Sequence, residues 1–216
     1  MKSIAKALFD IEAVTLKPND PFTWSSGMRS PIYCDNRLTL SFPSVRKEIA
    51  EGLVNLIKER FRDVDVIAGT ATAGIPHAAW VSEKLNLPMV YVRSSAKGHG
   101  KGNVIEGKIT KGEKVVVIED LISTGGSAID AASQLKNAGA EVLGVAAIFT
   151  YGMKKGEEHF SQHQIEWHTL TNFDELLTCA TETGMIKERE VQSLLNWRDD
   201  PSSEEWMEQL KNLSVN

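Results

Sequence analysis

Cysteine is scarce in this chain: two residues among 216, Cys34 and Cys179, far apart in sequence. The two could pair, but no secretory signal precedes them. The opening residues carry acids by Asp10 and Glu12, so they read as an amphipathic helix rather than a signal peptide. Long apolar runs are missing as well. The longest, residues 142–149, is too short to cross a bilayer. A reduced, cytoplasmic protein without a membrane anchor is expected. Excess positive charge is also lacking: the formal net charge is −5, which argues against a general nucleic-acid binder while leaving room for a local basic pocket that takes a small anion. Neither repeats nor a low-complexity linker break the sequence.

What is present suits a soluble α/β protein. Apolar residues make up 42% and charged residues 25%, ordinary values for a globular chain long enough to bury a real core. A helix is expected over about residues 2–13. Glycine, proline, serines and aromatics then suggest a hairpin or irregular strands over 22–37. Pro43 opens a helix to about residue 61. From there strands and helices alternate: strand 65–69, helix 75–85, strand 88–92, strand 114–118, helix 127–138 ending at Gly139, and strand 142–149. Strands that are apolar throughout imply a mostly parallel sheet covered on both faces. Beyond residue 150 helices are expected at 172–182, 187–196 and 203–213. Trp206, Leu210 and Leu213 share one face of the last.

In open parallel sheets ligands bind beyond the carboxyl ends of the strands. The sharpest segment there is Glu119-Asp120-Leu121-Ile122-Ser123-Thr124-Gly125-Gly126-Ser127, reached directly from Val115–Ile118. Glycines at a helix start leave backbone N–H groups open to an anion, and the hydroxyls of Ser123, Thr124 and Ser127 add donors. A capped βα turn with Ser127 as the cap is the plainer reading of those residues. The two acids shift the balance, because carboxylates at the mouth of a buried strand are costly without a positive partner. Either Mg²⁺ or a positive part of a substrate could provide one. A sugar phosphate carrying a diphosphate satisfies each part: phosphate in the cradle, ribose hydroxyls on the acids, Mg²⁺ between hydroxyls and diphosphate.

Residues 115–127 resemble the phosphoribosyl diphosphate (PRPP) motif of the type I phosphoribosyltransferases: four apolar residues, two acids, two apolar residues and a hydroxyl- and glycine-rich turn. Arg93, Lys97, His99 and Gly100 resemble the R-K-x-x-K-x-H-G lid of the orotate phosphoribosyltransferases. Residues 22–31 resemble their F-T-x-K-S-G-x-x-S-P element, and residues 70–76, following Gly69, their G-x-x-x-x-G-I-P turn. The resemblance covers about residues 2–165, including Asn36 to Leu40, and extends more weakly into the tail. It implies one domain over 1–216: N-terminal helices and an orotate-covering hood to about residue 62, a PRPP-binding core over 63–170 and a helical tail over 171–216. Mg²⁺ is the implied cofactor, held mainly by PRPP, with no direct protein ligand assigned. The implied catalytic groups are Arg93, Lys97, His99, Glu119 and Asp120; these five together with Leu121, Ile122, Ser123, Thr124, Gly125, Gly126 and Ser127 would bind PRPP. Ser123, Ser25, Ser26 and Gly27 would meet orotate. A homodimer sharing the lid between subunits is also implied.

Four positions depart from the family pattern. Ser25, Ala73 and Ser94 stand where lysine or another base is usual, and Tyr151 stands near a position often held by an orotate-binding arginine. Arg29 and Lys101 lie nearest in sequence to replace that charge. Elsewhere His159 and His163, four apart, could share a helix face without completing a zinc motif. His77 reads as a cap or supporting group. The alternative functions are a purine-salvage phosphoribosyltransferase and a PRPP-binding regulator without turnover.

Overall fold

The computed structural model describes residues 4–24, 27–94 and 104–214, with side chains through residue 212. Lys97, His99, Lys101, Ser25 and Ser26 lie outside the described residues. Helix α1 (Ile4–Asp10) leads into β1 (Val14–Leu16), which pairs antiparallel with β4 (Ile32–Cys34). Between them β2 (Phe22–Thr23) and β3 (Arg29–Ser30) form the expected hairpin. A 3-10 helix over Asn36–Ser41 precedes α2 (Pro43–Arg60), whose proline sits in the first turn, where its missing N–H does no harm.

The main sheet is built from β5 (Val66–Thr70), β6 (Met89–Val92), β7 (Ile105–Glu106), β8 (Lys114–Ile122), β9 (Glu141–Thr150) and β10 (Trp167–Asn172), in the order β10-β9-β8-β5-β6-β7. All neighbours are parallel except the edge pair β6–β7. Helices α3 (Gly74–Leu85), α4 (Gly126–Asn137) and α5 (Lys154–Gln162) fill the connections. The chain closes with α6 (Phe173–Glu182), α7 (Glu188–Asp199) and α8 (Glu205–Ser214).

Alternation along β8 shows why its apolar run is unbroken. Val116 and Ile118 face one core with α1, α2, α3 and the last three helices, whereas Val115 and Val117 face a second core with α4 and Phe160 of α5. Trp197, Trp206 and Leu210 are buried in the first core, so the final helices pack on the body of the molecule.

The structure corrects the expected elements at four places. Strand β8 runs to Ile122 rather than stopping at residue 118, because backbone pairing with β9 continues through Leu121–Phe149 and Ile122–Thr150. The two acids therefore sit inside a strand. Edge strand β7 adds pairing within a segment read as a polar loop. Strand β10, with sequence WHTLTN, has no continuous apolar run because it is a half-buried edge strand. Helix α5 buries only Gly156 and Phe160 among charged neighbours, too little to give a readable period.

Candidate active site

Strand order places the site. From β5 the chain moves to β6 on one side, and β8 then returns to the other side of β5, so β5 and β8 flank the point where the winding reverses. A crevice opens there beyond the carboxyl ends of the strands. Gly74, at the start of α3, presses on β8: a Cβ at that position would lie 2.5 Å from the Ile118 carbonyl oxygen. Only glycine lets the turn after β5 approach the acid-bearing strand so closely.

Glu119 is buried at 6% exposure, and its Oε1 accepts the Asp120 N–H at 3.1 Å. Burial raises the Glu119 carboxyl well above its usual range, and the charge of Asp120 adds to the rise. Burial likewise raises Asp120. The Thr70 hydroxyl lies near enough to favour the ionised form of Glu119 weakly, yet it is itself buried and makes no full hydrogen bond. The backbone carrying the pair is fixed from the hood, where Asn36 Nδ2 donates to the Asp120 carbonyl at 2.7 Å. Glu119 and the unsatisfied Thr70 hydroxyl thus lie together at the crevice, with the partly buried Asp120 next on the strand, an arrangement that asks for a ligand rich in hydroxyls or positive charge.

After Ile122 the chain turns into a cradle of about 140 Å³ lined by Glu119 and residues 121–128. Gly125 adopts φ +79°, and a Cβ there would meet the Phe160 ring at 2.7 Å. Helix α4 begins at Gly126 with Gly125 as its N-cap, and no side chain caps it. Ser127 is therefore not the cap. Its hydroxyl lies in the first turn, and the open N–H groups of that turn suit an anion. The side chain of Ile122 is buried in the core beside α4, while its carbonyl accepts the Thr150 hydroxyl at 3.1 Å and the Tyr151 N–H at 3.2 Å. Helix α5 backs the cradle: a Cβ at Gly156 would come within 2.8 Å of the Ser123 carbonyl oxygen, and His159 Nδ1 is 3.0 Å from the Thr124 carbonyl oxygen. This geometry makes Nδ1 of His159 the protonated nitrogen. His163 lies beyond the helix end, with Nδ1 2.8 Å from the His159 carbonyl oxygen, and no cluster able to hold a metal ion occurs among the described residues.

Two cavities flank the cradle. One, of about 310 Å³, lies between Thr70, Arg93, Ser94 and Ser127, with Asp130 and Gln134 farther along α4. Arg93 Nε is 3.5 Å from Glu106 Oε1 on β7, so its guanidinium is tethered at the cavity wall. The other is roomier, about 760 Å³, and mostly aromatic. Phe22, Trp24, Tyr33 and Tyr151 line it together with Leu121 and Ser123. Trp24 lies 5.7 Å from Tyr151 and 6.0 Å from Trp197, so the hood is braced by rings. Burial pushes the Tyr151 phenol up, keeping it neutral and able to donate a hydrogen bond. Gly27 sits exposed at the hairpin tip with φ +84°, its N–H bonded to the Trp24 carbonyl at 2.8 Å. Arg29 does not line the aromatic cavity; it lines another, between the hood and α8.

Sequence reasoning gave no role to Asn36, Gly156, Phe160 or the ring wall of Trp24 and Tyr33. Asn36 stood within a resembling segment without an assigned contact. Asp130 and Gln134 were readable in principle, falling three and seven residues after Ser127 on one helix face. Phe160 had no signal, since its partner Gly125 is distant in sequence.

His77 lies outside these cavities. It is buried at 1% exposure, with Nε2 3.4 Å from the Thr39 hydroxyl and its ring edge-on to Trp80. Burial lowers its pKa to about 4, so it is neutral at physiological pH.

Comparison with known proteins agrees with this geometry. Residues 42–174 match the phosphoribosyl transferase domain family. The chain is 62% identical over 201 residues to an orotate phosphoribosyltransferase of Staphylococcus saprophyticus, covering 93% of this chain and 99% of that protein. It is 60% identical over 206 residues to one from Halalkalibacterium halodurans, covering 95% and 98%. Among solved structures, the orotate phosphoribosyltransferase of Aeropyrum pernix superimposes with a TM-score of 0.74 at 27% identity, covering 85% of this chain and 99% of that one. The tight glycine turns, the acid-bearing strand and the uncapped helix start therefore have a shared origin: this chain belongs to the orotate phosphoribosyltransferase family, on the type I phosphoribosyltransferase fold.

Proposed function

We propose that the chain transfers the 5-phosphoribosyl group from PRPP to orotate, giving orotidine 5′-monophosphate and diphosphate in pyrimidine synthesis. The observation that carries this reading is the meeting of three unlike surfaces: a carboxyl pair with Glu119 buried and Asp120 partly so, an uncapped glycine cradle and an aromatic cavity, with Leu121 and Ser123 lining both cradle and cavity. The 5′-phosphate takes the N–H groups and hydroxyls of residues 123–127. The ribose hydroxyls donate to Glu119 and Asp120, which become ionised as they gain these donors. Orotate lies against Trp24 and Tyr151 beside Ser123.

The transition state separates charge. Positive character grows on the ribose, where the two carboxylates stabilise it, and negative charge grows on the departing diphosphate. Arg93, Lys97 and His99 answer that second charge. Mg²⁺ bound with the diphosphate would add positive charge on the leaving-group side. The residues present fit such a substrate-borne ion: Glu119 and Asp120 offer carboxylates on the ribose side, and the buried Thr70 hydroxyl still needs a partner. A homodimer in the cytoplasm is part of the proposal, with Lys97 of one subunit serving its neighbour. The exposed apolar side chains of Tyr33, Leu38 and Phe42 support association, and no described helix is long and apolar enough to cross a membrane.

The test follows orotate absorbance with PRPP and Mg²⁺, with adenine, hypoxanthine and uracil in parallel. Consumption of orotate alone is expected. Turnover of another base instead would overturn the base assignment, and PRPP binding without any turnover would overturn the enzyme.

A further inference from the structure

Away from the crevice, a cavity of about 510 Å³ lies between the loop entering β2 and helix α8. Its apolar lining is Pro18, Pro21, Met207 and Leu210, and its polar lining is Asn19, Arg29 and Lys211. Arg29 Nε is buried without a hydrogen-bond partner, and no ion pair or hydrogen bond engages the guanidinium among the described residues. No acid lines the cavity: Asp20, between Asn19 and Pro21, is exposed and outside the lining, and Glu190 is engaged, its Oε1 accepting Asn19 Nδ2 at 3.2 Å and its Oε2 the Lys187 N–H at 2.7 Å. Trp206, the residue before Met207 and behind the lining, also keeps a buried Nε1–H unbonded. Buried donors without acceptors are rare, and a charged one is the costliest kind. What this wall lacks is an acceptor with negative charge.

We propose that this cavity binds a small organic anion, its carboxylate or phosphate held by Arg29 and Lys211 and its apolar body against the prolines, Met207 and Leu210. A guanidinium fork matches either head group in bidentate fashion, and the lysine adds a point charge. The site is separate from the catalytic crevice but shares a wall with the aromatic cavity. Arg29 pairs with Thr23 across the β2–β3 hairpin, and its carbonyl accepts Trp197 Nε1–H at 3.1 Å, while the ring of Trp197 stands edge-on to Trp24. The proposal does not depend on the reaction assigned above.

Titrating the full chain with phenyl phosphate, benzoate and inorganic phosphate, read by two-dimensional NMR, locates binding directly. Saturable shifts are expected at Arg29, Met207 and Leu210 with at least one aromatic probe. Affinity at those residues should fall at least tenfold in Arg29→Gln and about threefold in Lys211→Gln, while phosphate-induced shifts at residues 124–127 persist. Both variants should fold, because the Arg29 side chain bonds to nothing and Lys211 is exposed. Tighter binding of phenyl phosphate than benzoate assigns a phosphate head, and the reverse a carboxylate. No saturable shift at these residues, or shifts unchanged in both variants, overturns the site. Inorganic phosphate binding there as tightly as phenyl phosphate overturns its organic character.

Discussion

The carboxyl pair on β8, with Glu119 buried and Asp120 partly so, and the buried imidazole on α3 are all titratable groups withdrawn from water, yet burial means opposite things for them. His77 is enclosed by Thr39 and Trp80 and escapes its desolvation by staying neutral. Glu119 and Asp120 are also driven toward their neutral forms, but Glu119 lines a cradle whose ligand would repay ionisation, and Asp120 is its neighbour on the strand. A perturbed group marks a site when the space beside it can hold the missing partner. His77 lines none of the cavities described above, although its Nδ1 is also buried without a partner.

Removing the carboxyls should break this contrast most visibly. Asp120→Asn is expected to lower kcat/KM by about 10²–10³-fold, the scale of losing one preorganised electrostatic contact in a transition state, measured by steady-state kinetics with PRPP varied. In thermal melts Glu119→Gln should be at least as stable as the parent, by up to about 1 kcal/mol, because glutamine keeps the neutral form that burial already favours and removes the cost of ionising beside Asp120. Loss of activity together with loss of stability would make these residues structural. Mixed dimers of a Lys97→Ala chain with an Asp120→Asn chain should recover part of the lost activity if one subunit's lid serves its neighbour; verified mixed dimers with no recovery would remove that arrangement.

Gly125→Ala sharpens the cradle side of the comparison. A side chain at φ +79°, driven toward the Phe160 ring, should cost about 2 kcal/mol in chemical denaturation. PRPP binding should weaken at least tenfold. The smallest effect on activity belongs to His77. Its folded pKa lies below the unfolded value, so its contribution to stability is complete above pH 6.5 and is lost as pH falls toward about 4. His77→Gln should flatten the stability profile across that window by as much as about 3 kcal/mol, with kcat/KM changed less than threefold. For the carboxyls the sign reverses: their folded pKa values are raised, so the stability linked to their protonation is present below the unfolded carboxylate range and fades as pH rises.

How far the sequence carried this picture differs between the two sides of the crevice. Apolar strands, the Gly139 helix stop and the β8–α4 turn were legible because each rests on local patterning. Strand β10 and helix α5 were not, since an edge strand and a thinly packed helix bury too little to impose a period. Within the site, Glu119, Asp120 and residues 123–127 were readable from their order alone. The contacts of Asn36 with the Asp120 carbonyl, of Phe160 with Gly125 and of Trp24 with Tyr151 join segments distant in sequence, where no spacing rule applies. The same limit misplaced Arg29, which is near the hood in sequence but lines a cavity on its other side.

The most direct test of the carboxyl pair is proton release. Calorimetric titration with Mg²⁺–PRPP in two buffers of different ionisation heat, repeated between pH 7.5 and 5.5, counts protons moved on binding. Carboxyls held partly neutral by burial must ionise as ribose hydroxyls reach them, so the parent protein should release protons in growing amount as pH falls, and the Glu119→Gln/Asp120→Asn double variant should not. Equal proton counts in both proteins across the range would contradict the account.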